Sequence, residues 1–257
     1  MNRKYRKVII AGNWKMNMLP SKVKRYMEDL RGAMPKVKTC SVVLCVPYPM
    51  IPALNKAARD SRIAVGAQNV NEHEKGAYTG EVSVSMLEDL NVKYVIVGHS
   101  ERRQYYGETD FGVNAKVKAL LAAGISPIIC VGESLQQREF DLTMDHISYQ
   151  VKAAVHGLTP EEVRKCVSAY EPIWAIGTGR NATAEQAQEV CEHIRAIIRQ
   201  GYGARVARSV CILYGGSMNS KNAYELLSMP DIDGGLVGGA SLDPAEFAKI
   251  IEATNQE

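Results

Sequence analysis

The chain has 257 residues, 46% of them hydrophobic and 23% charged, a balance that excludes a disordered or fibrous protein and allows a sizeable buried core. A formal net charge of +3, with Lys and Arg dispersed along the chain, argues against nucleic acid as a partner. Every apolar run stops well short of the ~18 to 20 residues that span a bilayer, and the run behind the basic N-terminus, Val8–Ala11, is too short for a signal peptide, so a cytoplasmic protein independent of membranes is expected.

Val8–Ala11 is also the first β-rich apolar run, and it leads into Gly12-Asn13-Trp14-Lys15, where a compact amide and a cation follow a buried strand. A cation placed there can bind an anionic substrate; an isolated Lys there is equally an ordinary solvated loop residue. The second and third runs are Val42–Val46 and Ile63–Ala67, and Ser85 with Glu88 three residues on has the spacing of a capped helix start. The fourth run, Tyr94–Val97, ends in Gly98-His99-Ser100-Glu101-Arg102-Arg103. Ser100 is a good N-cap, so a helix is expected to begin here with its N–H groups toward His99. That environment disfavours a ring proton and keeps the imidazole a neutral hydrogen-bond donor. A structural histidine at a strand end is the competing reading. Gly98-x-Ser100-x-Arg102 lacks the second Gly of a nucleophile elbow, which removes Ser100 as a hydrolase nucleophile.

The fifth run is Ile125–Cys130, followed by a helical stripe of Ile147, Val151, Ala154 and Val155 and by a helix start at Thr159-Pro160 with Glu162. The sixth run, Cys166–Tyr170, delivers Glu171 to a strand end. A partly desolvated carboxylate there is expected to have a raised pKa and to serve as a base near neutrality, although a lone Glu could equally be a salt-bridge partner. The segment Ile173–Thr178, apolar between Pro172 and Gly179, has the composition of a lid between hinges. Ala184–Ile198 is the clearest helix, with Ala187, Val190, Cys191, Ile194, Ile197 and Ile198 on one stripe behind a Thr183/Gln186 capping box. The seventh and eighth runs, Val210–Tyr214 and Gly235–Val237, end in Gly215-Gly216-Ser217 and Gly238-Gly239, whose backbone N–H groups can approach a phosphate closely. Asp243-Pro244 with Glu246 starts a last helix, carrying Phe247, Ile250 and Ile251.

Eight strand-like runs separated by helical stretches, most without apolar/polar alternation, point to a parallel sheet buried on both faces. The α/β arrangement that fits is a single (β/α)8 TIM barrel, one domain spanning residues 1–257. A doubly wound open sheet is the alternative, but no GxGxxG or P-loop follows the first run. Cys40, Cys45, Cys130, Cys166, Cys191 and Cys211 show no metal-ligand or CxxC spacing, so buried free thiols and no metal are expected.

Long motifs carry a family resemblance across essentially the whole chain. They include Ala11–Asn17 (AGNWKMN), Gly66–Val70 (GAQNV), Gly76–Glu81 (GAYTGE), Val97–Arg103 (VGHSERR), Cys130–Glu133 (CVGE), Ala169–Gly179 (AYEPIWAIGTG), Tyr214–Ser217 (YGGS) and Leu236–Ser241 (LVGGAS). The sequence resembles the triosephosphate isomerase family. That resemblance implies interconversion of dihydroxyacetone phosphate and glyceraldehyde 3-phosphate, a step of glycolysis and gluconeogenesis, without cofactor or metal. It implies Glu171 as base, His99 as the group that polarises the carbonyl and shuttles protons, Lys15 as the cation that offsets substrate charge, and Asn13 as a substrate contact. Backbone N–H groups of Gly177, Ser217, Gly238 and Gly239 would bind the phosphate, Glu101 would partner Lys15, and Cys130 would pack near the base. A homodimer is implied as well, with the loop around Gly76 to Thr79 inserted beside the partner's site and Thr79 supporting Asn13 and Lys15 there.

The sequence departs from the family pattern at Arg180, where Lys is frequent, and in the charged stretch Asn71–Lys75. Another phosphosugar barrel enzyme or a non-catalytic barrel are the alternatives. A Schiff-base aldolase would need a Lys within a central strand, and a dead paralogue should have lost Lys15, His99 or Glu171, all of which are present.

Overall fold

In the computed structural model, which describes residues 5–175 and 182–255, the chain alternates strand and helix throughout. The strands are β1 (Ile9–Asn13), β2 (Ser41–Val46), β3 (Ile63–Ala67), β4 (Tyr94–Val97), β5 (Ser126–Val131), β6 (Val167–Tyr170), β7 (Cys211–Tyr214) and β8 (Gly234–Val237). All are parallel and pair in sequence order, and β8 returns to β1 to close the barrel. The eight apolar runs all become strands, two with the same bounds and the others shifted by a residue or two.

The missing alternation has a structural cause. Side chains on one face of each strand fill the barrel interior, among them Ile9, Ala11, Val43, Cys45, Val167 and Ala169. Those on the other face, such as Ile10, Val42, Leu44 and Ile212, pack under the helices in the larger core. Both sets leave water, so both faces must be apolar. The same period of two positions the chemistry. After Ile9 and Ala11 the next inward residue is Asn13, and after Val167 and Ala169 it is Glu171, each at the strand end where the interior opens into a cleft.

Helix Ala184–Tyr202 begins with the expected capping box. Thr183 Oγ1 accepts from the Gln186 N–H at 3.2 Å, and Gln186 Oε1 accepts from the Thr183 N–H at 3.0 Å. Thr159 and Glu162 form a second box around Pro160. Three starts differ from expectation. Helix Val84–Asp89 is capped by Ser83, whose hydroxyl accepts from the Met86 N–H, and Ser85 lies inside it. Asp243 caps Pro244–Glu252 alone, because Glu246 turns to accept from the Ser220 N–H at 2.8 Å. Helix Ser100–Tyr106 is capped by His99 in place of Ser100. Ser134 and Gln137 form a further box that the sequence reading left out. All six cysteines are buried, and Cys45, Cys130, Cys166, Cys191 and Cys211 are free thiols.

Candidate active site

Lys15, the residue after Trp14 in the loop beyond β1, adopts a left-handed backbone with φ +51°. For a side chain with a Cβ this conformation is disfavoured, and it persists where neighbours impose it. The Lys15 N–H donates to Asn13 Oδ1 at 3.0 Å, and its carbonyl accepts from Gln68 Nε2 at 3.1 Å. The ammonium reaches across to Glu101 Oε1 at 2.7 Å. Among the described residues lining the cleft, Lys15 is the only Lys or Arg.

His99 is presented by the turn at the end of β4. Gly98 sits at φ +71°, and a Cβ there would lie 2.8 Å from Arg103 Nη2 and 3.1 Å from the Cys130 carbonyl, so glycine is required. Arg103 locks the turn by donating to the Gly98 carbonyl at 2.6 Å and to Asp110 at 2.6 Å. The imidazole Nδ1 accepts from the Glu101 N–H at 3.2 Å. A ring nitrogen that accepts carries no proton, so the neutral ring holds its proton on Nε2. The expected helix N–H therefore does aim at the imidazole, but with His99 itself as the cap. Ser100 instead turns its own N–H to Glu171 Oε2 at 2.9 Å.

Glu171 is buried, and its Oε1 lies 2.9 Å from His99 Nε2. Its backbone approaches the neighbouring strand end so closely that a Cβ on Gly132 would fall 1.8 Å from the Glu171 carbonyl oxygen. Burial pushes the carboxyl pKa up, as expected for a desolvated group. The His99 charge and hydrogen bond, the Ser100 N–H and Lys15 together outweigh it, and the net direction is down. This corrects the expectation of a raised pKa. Burial likewise pushes His99 down, while the Glu171 carboxylate, aided by Glu101, outweighs it and leaves the ring raised, which corrects the expectation that its surroundings disfavour a ring proton. Both shifts belong to the contact between the pair. Once the carboxylate leaves Nε2, burial and Lys15 remain to lower the ring against Glu101, which raises it, and the Glu101 N–H on Nδ1 keeps the neutral tautomer protonated on Nε2. The Cys130 thiol is buried beside this pair, its pKa pushed well up by burial and by Glu171.

The cleft between these groups has a volume of about 650 Å³. Ser217, Gly238 and Gly239 line its other side, together with Gly215 and Gly216. A 3-10 turn, Gly239–Leu242, begins there, and the first N–H groups of such a turn have no partner within it. Of the expected lid, Ile173–Ala175 is a 3-10 turn held by the buried Glu133. Trp174 Nε1 donates to Glu133 Oε1 at 2.7 Å, Tyr170 OH donates to the same oxygen at 3.0 Å, and Arg138 stacks over the Trp174 ring at 4.7 Å. Ile176, Gly177, Thr178 and Arg180 lie outside the described residues.

Asn13, Lys15, His99, Glu101, Glu171, Ser217, Gly238 and Gly239 thus converge on one cleft. Thr79 does not line it and sits on an exposed loop within its own chain. Sequence reasoning assigned no role to Glu133 or Gln68, although each belongs to a motif directly after a strand; that position was the available signal. The one buried lysine among the described residues is Lys116, on a helix and paired with Glu108. Among the described residues, no strand supplies a Schiff-base lysine.

A family model described as triosephosphate isomerase matches residues 8–254. The triosephosphate isomerase of Acetivibrio thermocellus is 56% identical over 245 residues, which cover 95% of this chain and 97% of that protein. The proteins of the same name from Clostridium botulinum and Lactobacillus acidophilus are 49% and 48% identical, covering 96% and 95% of this chain and 99% and 96% of their own lengths.

Proposed function

The chain belongs to the triosephosphate isomerase family, and we infer that it interconverts dihydroxyacetone phosphate and D-glyceraldehyde 3-phosphate by proton transfer through an enediolate. The observation that carries this reading is the meeting of Glu171 and His99 Nε2 at 2.9 Å in a cleft that also holds the Lys15 ammonium.

Glu171 takes the proton from the carbon next to the carbonyl and returns it to the adjacent carbon. To do so it leaves His99 and the Ser100 N–H, which substrate entering the cleft displaces. His99 then presents Nε2–H to the carbonyl oxygen, and the Glu101 N–H on Nδ1 supports that tautomer. A neutral imidazole suits the role because it donates a proton to an enediolate oxygen and recovers one without leaving a charged ring beside the base. Lys15 offsets the substrate's negative charge, and Asn13 hydrogen-bonds the substrate while holding the Lys15 turn. The N–H groups of Ser217, Gly238 and Gly239, joined by Gly177, bind the phosphate. Ile173–Thr178 closes over the intermediate and excludes water, which limits loss of phosphate from the enediolate. Trp174 on Glu133 forms its anchored end.

The partner we propose is a second copy of this chain. A cavity of about 320 Å³ opens beside Asn13 and Lys15, rimmed by Met16, Tyr48 and Tyr106, with Met16 95% exposed. The exposed loop carrying Tyr78 and Thr79 is the segment that would fill the corresponding cavity of its partner, and deletion of Glu72–Lys75 should yield poorly active monomers in sedimentation. The free thiols of Cys45, Cys130, Cys166, Cys191 and Cys211 support a reducing, cytoplasmic setting.

A coupled assay of the purified protein with D-glyceraldehyde 3-phosphate, run beside Glu171→Gln, tests the activity directly. Turnover that persists at the parent rate in the variant would remove Glu171 from the mechanism, and a parent protein without turnover would remove the reading itself.

A further inference from the structure

We propose that Gln68 is a positioning residue for Lys15, holding the loop after β1 in the left-handed turn that sends the ammonium into the cleft. The proposal rests on the isomerase reading, in which Lys15 meets the charged substrate.

Three contacts restrain Lys15. Asn13 Oδ1 takes the backbone N–H, Glu101 Oε1 takes the ammonium, and Gln68 Nε2 takes the backbone carbonyl. The first two belong to residues that line the cleft. Gln68 does not line the cleft; it borders the neighbouring cavity and reaches Lys15 from behind. It stands one residue past the end of β3, and β2 lies between β3 and β1, so its side chain spans the mouth of β2 to make the contact.

On the way, the same Nε2 donates to the Cys45 carbonyl at the end of β2, also at 3.1 Å. That carbonyl already accepts the Trp14 N–H at 3.1 Å. One amide nitrogen thus joins two carbonyls, that of Lys15 and the β2 carbonyl that holds Trp14, so both of its N–H bonds are used. With the amide removed, the Lys15 carbonyl loses its tether, and the clash of Cβ with the carbonyl in a left-handed residue drives φ back to negative values. The ammonium then leaves its place in the cleft. Gln68 also begins the segment that runs out to the exposed loop at 71–81, so it ties that loop to Lys15 through a single side chain.

The experiment is a double-mutant cycle on binding of 2-phosphoglycolate by calorimetry, using Gln68→Met and Gln68→Glu in the parent and in Lys15→Met. Met keeps the length but cannot donate; Glu keeps the shape but turns acceptors toward two carbonyls. Both should weaken binding of the order of 10-fold in the parent, the loss of one or two hydrogen bonds. Neither should weaken it further in Lys15→Met, and a crystal structure of Gln68→Met should show Lys15 out of the left-handed region. Equal losses in both backgrounds, parent-like binding by either variant, or a loss that follows dissociation in sedimentation would each overturn the proposal. Lys15→Met that by itself binds like the parent would instead sink the placement of Lys15 in the isomerase site, and this inference with it.

Discussion

The barrel carries an ion cluster at each end, and the two are built on opposite principles. Below the strands, Arg195 donates to Asp231, to Asp233 and to the carbonyls of Ala207 and Val210, while Arg6 pairs with Asp233 at 2.8 Å. Asp233 also accepts from the Ile212 N–H at 3.0 Å, at the second residue of β7. Most arms of that cluster end on backbone groups or on the fully buried Asp233. Above the strands, Lys15, His99, Glu101 and Glu171 hold one another through contacts that substrate can replace, on a turn kept left-handed by side chains. The lower cluster pins strand ends together. The upper one buries only His99 and Glu171 and leaves Lys15 and Glu101 partly open at the cleft.

That contrast predicts which changes separate activity from stability. Glu171→Gln should lower kcat by about 10² to 10⁴-fold, the usual contribution of general-base catalysis, while its thermal midpoint stays close to that of the parent. Steady-state kinetics beside calorimetry reads both, and a variant that unfolds as it loses activity would blur the distinction. Asp233→Ala should do the reverse. It leaves Arg6 and Arg195 buried beside a missing partner, a change that costs about 3 to 5 kcal/mol, yet the folded fraction should turn over at the parent rate. Urea titration and active-site counting would show it; a fall in kcat per folded molecule would mean the lower cluster reaches the site.

His99→Gln should lower kcat more than it weakens binding, because its hydrogen bond strengthens in the transition state. It should also move the acid limb of kcat/KM. In the parent, His99 is the main force holding Glu171 below the ordinary carboxylate range, so the base stays ionised to low pH. Without His99, burial remains and pushes the carboxyl up, so activity should be lost at a higher pH than in the parent. An acid limb that stays in place would show that the pair does not control the base. The smallest effect is expected from Arg25→Ala. It breaks the pair with Asp29 at 3.0 Å, whose side chains are 77% and 43% exposed. Such a pair contributes within about 0.5 kcal/mol, and a larger loss in the same urea titration would undo the argument that burial, not charge, sets the weight of the lower cluster.

Local chemistry wrote much of this molecule into the sequence. Strand positions were legible because burial on both faces forces an unbroken apolar run, and the caps at Thr159 and Thr183 were legible because the box closes within four residues. Asn13 and Glu171 were legible as strand-end residues because each follows an apolar run. What the sequence left open depended on residues far away along the chain. Ser85 and Ser100 have the side chain of an N-cap, but the turn before each helix fell so that Ser83 and His99 took the place. A desolvated Glu171 reads as a base with a raised pKa until the fold sets His99, Ser100 and Lys15 against it from two other strand ends. The clusters of Arg6 with Asp233 and of Gln68 with Lys15 and Cys45 join segments with no local signature, because charge and amide complementarity act through space once the barrel closes. The sequence by itself determined the strands, the closed barrel and which residues stand at its mouth. Only the tertiary structure decided their partners, since a pKa, a tautomer or a left-handed turn is set by neighbours brought into contact by folding.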